Sequence, residues 1–433
     1  MHYIKTFMEE KYKIPSDWQI KTINEVCNIY TGNSINKKKK EENFIGLKEG
    51  LNYIGTKDIS FNNIIEYENG VKIPFKDLKD FKIAKSNTSL LCIEGGSAGR
   101  KIGFTNQDVC FGNKLCCFEA IEDEPKFIYF YLQSNDFLRE FNSNIQGLIG
   151  GVNKENLRKI KIPIPPLDEQ KLIASALSKI DAYLENTIKL IEEKERFKRG
   201  IAKKLLTCKE GENIPEARFK GFEDEWKEYN LSKIGVSYNG LRNKKANSFV
   251  ENCNAKYITY KTVYDKNKID INRLGNVFIG KNENQNLVKY GDVFFTISSE
   301  TPDEVAISSV LLDEVENTYL NSFCFGFRFD FNILLPEFAR YYFRSDYIRK
   351  STYRLAQGIT RYNISKKKFL DIIIYLPSLE EQEKIGGYLS LLDAEIDNLK
   401  KQKELIKEMK RGAMQKLLSG EVRLSKNAFN ENI

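Results

Sequence analysis

Two stretches decide the reading of this chain: residues 165–206, PPLDEQKLIASALSKIDAYLENTIKLIEEKERFKRGIAKKLL, and residues 377–418, PSLEEQEKIGGYLSLLDAEIDNLKKQKELIKEMKRGAMQKLL. They align without a gap, and well over a third of the positions are identical, among them Pro165/Pro377, Glu169/Glu381, Gln170/Gln382, Asp181/Asp393, Arg199/Arg411, Gly200/Gly412 and Leu206/Leu418. So long an ungapped match marks an internal duplication. Each copy opens with a proline and a pair of carboxylates, the residues that suit the first turn and positive end of a helix. In the second copy apolar residues recur at Ile385, Leu389, Leu392, Ile396, Leu399, Ile406, Met409, Ala413 and Leu417, spaced mostly by three and four, as in a coiled-coil seam. The first copy has a similar stripe at Ile173, Leu177, Ile180, Leu184, Ile188, Ile191, Ile201 and Leu205, interrupted by Lys194 and Lys198. A helix of this length, about 60 Å, leaves much of its apolar face bare against one small domain. The simplest partner for either helix is therefore the other.

Working outward, the repeat continues more weakly. Gln146-Gly147 answers Gln357-Gly358, Asn153 answers Asn363, and PSDWQIKTINEV at 15–26 resembles EDEWKEYNLSKI at 223–234, pairing Trp18 with Trp226. The repeated unit is a globular part of about 150 residues followed by a helix of about 40. Both globular parts read as short β-rich runs (YIGTKDI, NTSLLCIE, DVCFGNKLCCFEA; KYITYKTV, GDVFFTISS, SFCFGFRF) broken by turns, then aromatic-rich helical stretches (PKFIYFYLQSNDFLREF; PEFARYYFRSDYIRKS). Each places a strand beside a Gly- or Ser-rich loop, IEGGSAGRKIG at 93–103 and ISSETPDEVA at 297–306, where recognition residues usually sit.

Composition removes most catalytic chemistry. The chain has 433 residues, 68 Lys+Arg against 60 Asp+Glu for a net charge of +8, eight cysteines and one histidine, His2. A Ser-His-Asp triad, a Cys-His pair or a His-ligated zinc site would need an internal histidine. The cysteines contain no C-x-x-C and lie mostly in apolar surroundings, which reads as reduced buried thiols. The loop Gly95-Gly96-Ser97-Ala98-Gly99-Arg100 lacks the Gly-Lys-Ser/Thr ending of a phosphate cradle. Pro302-Asp303 is followed by no Glu-x-Lys, and the Pro165-Pro166 pair opens a helix instead of a methyltransferase loop. No apolar run is long enough to cross a membrane and the N-terminal stretch is charged, so a cytoplasmic chain is expected.

Residue types suited to DNA are present in both repeats. Lys38 and Lys39 in the first part, and Arg242, Asn243, Lys244 and Lys245 in the second, lie in loop-like stretches; Arg100, Lys101, Asn113, Lys114, Asn153, Lys154, Ser299, Arg361 and Tyr362 add donors near turns. Lysines hold phosphates, whereas Arg and Asn pair bidentately with guanine or adenine edges. Past its midpoint the first helix turns basic, with eight Lys/Arg against three Glu from 189 to 209. A solvated face accounts for most of that charge; a phosphate-facing stripe and a docking surface for acidic partners are the alternatives.

The two P-x-L-x-E-Q helices, their RG-x-x-x-K-L-L endings at Arg199–Leu206 and Arg411–Leu418, the close LLSGEVRL at 417–424 and the segment IPEARFKGFEDEW at 214–226 together resemble the specificity subunit of a type I restriction-modification system. The resemblance covers nearly the whole chain. It implies an α+β fold: target recognition domains at 1–163 and 209–376, helices at 164–208 and 377–420 forming an antiparallel coiled coil, a tail at 421–433, and pseudo-two-fold symmetry. It further implies a non-catalytic subunit that reads a bipartite site in double-stranded DNA. The seam residues Leu177, Ile180, Leu184, Ile188, Ile191, Leu389, Leu392, Ile396, Leu399 and Ile406 then form the helix and partner interface. Two methyltransferase subunits using S-adenosylmethionine would modify adenine, and restriction subunits using ATP and Mg would translocate and cut, with no cofactor in this chain. A 42-residue helix is about 63 Å long and DNA rises about 3.4 Å per base pair, so the two half-sites lie no more than about 18 base pairs apart. Service to a fused methyltransferase-nuclease, or as a spare copy for recombination, is the nearest alternative; a coiled-coil adaptor for proteins alone is the alternative from another class.

Overall fold

The computed structural model describes residues 14–145, 150–250 and 253–425; His2, Gln146, Gly147 and the end of the tail lie outside them. The first repeat opens with β1 (Gln19–Thr22), α1 (Ile23–Val26) and β2 (Cys27–Thr31). After α2 (Lys37–Asn43) come β3 (Leu51–Ile54), β4 (Lys72–Ile73), β5 (Ile83–Ala84), β6 (Ser89–Cys92), β7 (Ile102–Phe104), β8 (Val109–Phe111) and β9 (Leu115–Ala120). The aromatic stretch forms α3 (Pro125–Tyr131) and α4 (Asn135–Ser143), and α5 (Lys154–Lys159), β10 (Lys161–Ile164) and the long α6 (Leu167–Leu206) close the repeat.

The second repeat runs β11 (Lys227–Asn230), α7 (Leu231–Ile234), β12 (Gly235–Asn239), β13 (Ala255–Ile258), α8 (Tyr260–Asp265) and β14 (Gly275–Val277). It continues through β15 (Val293–Thr296), β16 (Ser298–Ser299), β17 (Ser308–Val310), β18 (Thr318–Leu320) and β19 (Cys324–Phe329). Then follow α9 (Pro336–Tyr342), α10 (Asp346–Tyr353), β20 (Tyr362–Asn363), α11 (Lys366–Leu370), β21 (Ile373–Leu376) and α12 (Leu379–Leu418). KYITYKTV is not one strand: the Thr259 hydroxyl accepts from the Thr262 N–H, and this cap turns the chain from β13 into α8.

The duplication extends through the sheets. β2-β9-β6-β7 and β12-β19-β15-β17 have the same strand order, β4-β3-β8-β5 answers β14-β13-β18, and β1–β10 answers β11–β21. Each β3- or β13-centred sheet even repeats one parallel pairing, β3 with β8 and β13 with β18.

The chain divides into two compact units, one formed by residues up to 188 together with those from 402 onward, the other by residues 189–401. The boundary crosses both long helices. In the first unit Ile173, Ala174 and Leu177 of α6 share a core with Met414, Leu417 and Leu418 of α12, and with Trp18, Phe127, Phe137 and Phe141. In the second, Leu205 and Leu206 share a core with Ile385, Leu389 and Leu392, Trp226, Phe295 and Phe338. Trimming a fully buried leucine such as Leu177 or Leu389 to alanine costs about 2–5 kcal/mol.

Residue numbers rise along α6 as they fall along α12 within each unit, so each paired stretch is antiparallel. In the second unit Lys194 reaches Glu395 at 2.7 Å, Lys400 reaches Glu195 at 2.7 Å, and Lys198 pairs with Asp393. The lysines that interrupt the first apolar stripe are thus cross-helix partners. The first unit holds the counterpart, Asp181 with Lys410 at 2.6 Å, built from the same two repeat positions in exchanged roles. Half-buried pairs of this kind contribute more to register than to net stability. Ile191, Ile396 and Ile406 are buried in the seam, while Ile180, Leu184, Ile188 and Leu399 are half-buried. Met409 departs from the expected stripe: it is 50% exposed and Met414 fills the core instead, because the turn from Ile406 leads through Lys410 to Asp181.

The P-x-L-x-E-Q motif fastens each helix start. Gln170 donates to the carbonyl of Pro165 (3.0 Å) and to Asp123 (2.8 Å) and accepts from the Glu124 N–H (2.8 Å). Gln382 likewise donates to the carbonyls of Pro377 (3.0 Å) and Ile333 (2.8 Å) and accepts from the Leu335 N–H (2.9 Å). Both buried amides therefore pin the long helix to the chain leading into α3 or α9. The neighbouring glutamates receive an arginine from the chain that leaves a long helix. Arg423, beyond α12, grips Glu169 through Nε and Nη2, both at 2.7 Å, and Arg218, beyond α6, grips Glu381 at 2.9 and 2.7 Å. Gly420 makes the first of these possible: at φ +77° it turns the chain back, and a Cβ there would stand 2.5 Å from the Pro15 ring.

Candidate nucleic-acid interface

Each unit brings its Gly- or Ser-rich loop against the segment that precedes α5 or α11. In the first, Gly95 N–H donates to the Gly150 carbonyl (2.8 Å), Val152 N–H to Ile93 (3.0 Å) and Ile93 N–H to Lys114 (3.0 Å), while the Lys114 ammonium meets Glu94 at 3.3 Å. Asn113, Lys114, Asn153 and Lys154 consequently belong to one rim. In the second, β16 pairs with β20, setting Ser298 opposite Asn363 and Ser299 opposite Tyr362. Ser299, Arg361 and Tyr362, scattered in sequence, are thereby brought together.

Behind that ladder lies a cavity of about 350 Å³ lined by Tyr260, Tyr264, Ser299, Glu304, Phe323 and Arg361. The two tyrosine rings stack at 6.2 Å and 15°. The Tyr264 hydroxyl donates to Glu304 Oε1 (2.5 Å) and the Ser299 hydroxyl to Oε2 (2.9 Å). These bonds, Tyr264 first, hold the Glu304 carboxyl below its usual range, and the same bond pushes the Tyr264 hydroxyl up to about 12. Glu304 is therefore a fixed anion at neutral pH. Two arginines support the walls: Arg344 donates to the carbonyls of Ser308 (2.6 Å), Val263 (3.1 Å) and Lys266 (2.7 Å), and Arg349 to those of Ala306 (2.8 Å) and Val305 (2.7 Å). Burial lowers the Arg344 guanidinium to about 10, which still leaves it charged at neutral pH. The loop 357–361 is turned tightly by Gly358, at φ +141°, where a Cβ would meet the Arg361 carbonyl at 2.1 Å; Ile359 stands 91% exposed at its tip.

The first unit carries a larger groove of about 850 Å³ whose walls include Phe61, Asn63, Arg100, Arg139, Arg411 and Gln415. Arg100 and Lys101 both lie over the exposed Phe61 ring, at 5.1 and 4.9 Å, and Lys101 also donates to the Thr56 carbonyl (3.0 Å). Guanidinium, amide and aromatic groups facing one concavity suit a polyanion with stackable bases.

The other candidates fall in several places. Lys38 and Lys39 lie on α2 and not in a loop, because Asn36 caps that helix by accepting from the Lys39 N–H (2.8 Å); both side chains remain on the surface. Asn153 caps α5 through the Asn156 N–H (2.8 Å). Lys244 turns inward, its side chain 5% exposed against Glu283 and the Phe278 carbonyl, so it is withdrawn from solvent. Arg242, Asn243 and Lys245 stay exposed, with Asn243 at φ 56°. Phe61, Asn63, Tyr260, Tyr264, Glu304 and Phe323 were not singled out from the sequence. The Asn62-Asn63 turn was the available signal for the first unit, and the aromatic pair Tyr260/Tyr264 at helical spacing for the second. All eight cysteines are free thiols, six of them buried. Among the described residues no group of His, Cys, Asp or Glu is placed to hold a metal ion, and no helix is long and apolar enough to cross a membrane.

Known proteins match this architecture. Residues 15–193 and 223–408 each match the family described as type I restriction modification DNA specificity domain. The type I restriction enzyme MjaVIII specificity subunit of Methanocaldococcus jannaschii is 27% identical over 98% of both chains. The EcoBI specificity subunit of Escherichia coli is 21% identical over 90% of this chain and 82% of its own. Among solved structures, the type I restriction-modification S subunit from M. genitalium superposes with a TM-score of 0.56 at 18% identity, covering 92% of this chain and 96% of that one. A chain from a study of complex assembly and conformational transition in a type I system gives 0.58 at 15% identity, covering 95% and 100%. With two family matches that together span most of its length, one per repeat, the chain belongs to the type I restriction-modification DNA specificity family.

Proposed function

We propose that this chain is the non-catalytic specificity subunit that reads a bipartite site in double-stranded DNA, one half-site per unit. The observation that carries the reading is the pairing of loops. The segments 93–101 and 150–154 in one unit, and 298–304 and 361–363 in the other, occupy equivalent places on sheets of equal strand order while sharing little sequence. Equal placement with unequal side chains is what two readers of different half-sites require. Arg100, Arg139 and Arg411 in the first unit and Arg242, Lys245 and Arg361 in the second supply phosphate and base contacts. Exposed positions of α6 and α12 dock two methyltransferase subunits that use S-adenosylmethionine to methylate adenine, and ATP- and Mg-dependent translocase-nuclease subunits join for restriction. The helices set the unread spacer, and the assembly works in the cytoplasm.

Exchanging residues 209–376 for those of a relative and sequencing the DNA bound by the complex with its methyltransferase tests this. One half-site changes and the other is retained. Alteration of both half-sites, or binding insensitive to salt, contradicts independent DNA readers.

A further inference from the structure

The cavity behind β16 and β20 carries two opposite charges on one small concave surface. Glu304 is oriented by Tyr264 and Ser299, one on each carboxylate oxygen, with the Thr301 side chain as a weaker third donor, so of the carboxylate's roughly four acceptor directions one remains for a ligand. Arg361 enters from the loop turned by Gly358, and its guanidinium has no hydrogen-bond partner among the described residues. Tyr260 lines the same cavity and its ring stacks on that of Tyr264 at 6.2 Å. Its own hydroxyl is committed to the Ser298 carbonyl at 2.8 Å, so it shapes the wall and leaves reading to the two ions.

A base-pair edge that satisfies this arrangement must offer a donor to the anion and adjacent acceptors to the cation. In the major groove the cytosine N4 amino group is the donor that pairs with a glutamate, and guanine N7 and O6 are the acceptors that pair bidentately with an arginine. An A·T pair offers the anion the adenine amino group, but leaves the guanidinium a single acceptor on each base and adds the thymine methyl. Resting on the proposed reading of DNA by the second unit, we propose that Glu304 and Arg361 recognise one C·G base pair, Glu304 accepting from cytosine N4 and Arg361 donating to guanine N7 and O6, with Tyr264 and Ser299 as residues that position the carboxylate.

The test uses the full chain in complex with its methyltransferase subunits and a pool of duplexes randomised across the site. Glu304→Gln replaces one acceptor oxygen by a donor, and Arg361→Gln removes the guanidinium from an exposed side chain on which no described contact depends. In each variant the preference for C·G over the other pairs falls roughly ten- to a hundredfold at one position, and that position is the same for both. The half-site read by the first unit keeps its sequence and stringency in the same experiment, which shows that the complex is folded. Relaxation at an A·T pair, relaxation at two different positions, or an unchanged half-site in Arg361→Gln overturns the assignment while leaving the two-reader function intact. If instead exchange of residues 209–376 alters no half-site, the underlying reading fails and not this pairing alone.

Discussion

The start of α6 and the start of α12 are the same joint built twice, and they differ in how many partners hold the central carboxylate. Glu169 accepts from Trp18 Nε1 (3.1 Å), from Arg423 through two nitrogens and from the Leu424 N–H (3.3 Å), while Arg423 is gripped a second time by Asp17 at 2.9 and 2.7 Å. Glu381 is more deeply buried, at 1% exposure, and Arg218 is the one described partner of its carboxylate. The indole nitrogen of Trp226, the counterpart of Trp18, is buried with no hydrogen-bond partner among the described residues. The routes to the two arginines differ as well: Arg423 lies five residues beyond Leu418 and Arg218 twelve beyond Leu206. The duplication has kept the charge pair and its burial, while the path that delivers the arginine has diverged. A network at one end and a single bidentate pair at the other should fail differently.

The largest contrast is expected between the arginines. Arg218→Ala strands a buried carboxylate and should cost the second unit about 3–5 kcal/mol. Arg423→Ala leaves Glu169 its indole and backbone donors and removes a side chain that is 41% exposed, so the first unit should lose only about 1–2 kcal/mol. Hydrogen-exchange protection, read separately in each unit, distinguishes the two; equal losses would show that the extra donors around Glu169 contribute nothing. Lowering the pH tests the first of the two networks through its outer carboxylate. Arg423 holds the Asp17 carboxyl below its usual range, so this pair's contribution is complete above the ordinary aspartate value, about 3.9, and fades as pH falls through the lowered one.

A smaller difference is expected in the helix pair. Asp393 receives Lys198, Arg340 (3.1 Å) and the Tyr341 hydroxyl (2.8 Å), tying α9 to the seam, whereas Asp181 has Lys410. Asp393→Ala should cost about 2–3 kcal/mol and Asp181→Ala about 1–2 kcal/mol. Thermal unfolding of the two variants ranks them, and the reverse order would mean that Arg340 and Tyr341 only accompany the pair. The smallest contrast lies at the tryptophans. Trp18→Phe removes a hydrogen bond to a carboxylate that Trp226→Phe does not, so it should be the more destabilising of the two by about 1–2 kcal/mol in denaturant unfolding.

The helices were legible because a seam repeats with a fixed period, and because Glu169, Gln170 and Asp181 recur at one offset. Their partners were not legible: nothing local marks Arg218 or Arg423 as reaching a helix start, since those pairings are closed by the fold across 163 and 254 residues. The proposed reading surfaces were half legible. Arg361 and Ser299 stand out as donors near turns, yet their meeting depends on a two-residue ladder, and Glu304 reads as an ordinary loop acid until Tyr264 and Ser299 converge on it. Lys244 shows the converse, a lysine of the expected type in the expected loop that the fold turns inward. Divergence between the units also hides in the supports: where Arg344 and Arg349 hold loop carbonyls in the second, the first repeat has Gln133, which donates to the Tyr129 carbonyl of its own helix, and Leu138, which packs against the apolar core.

Mapping methylated adenines across the genome of a host that carries this chain with its methyltransferase tests the two-reader function most directly. The expected result is a split site whose two halves differ in sequence and stand a fixed gap of several base pairs apart, no more than about 18 between centres. One continuous site, or a palindrome with two identical halves, would contradict it.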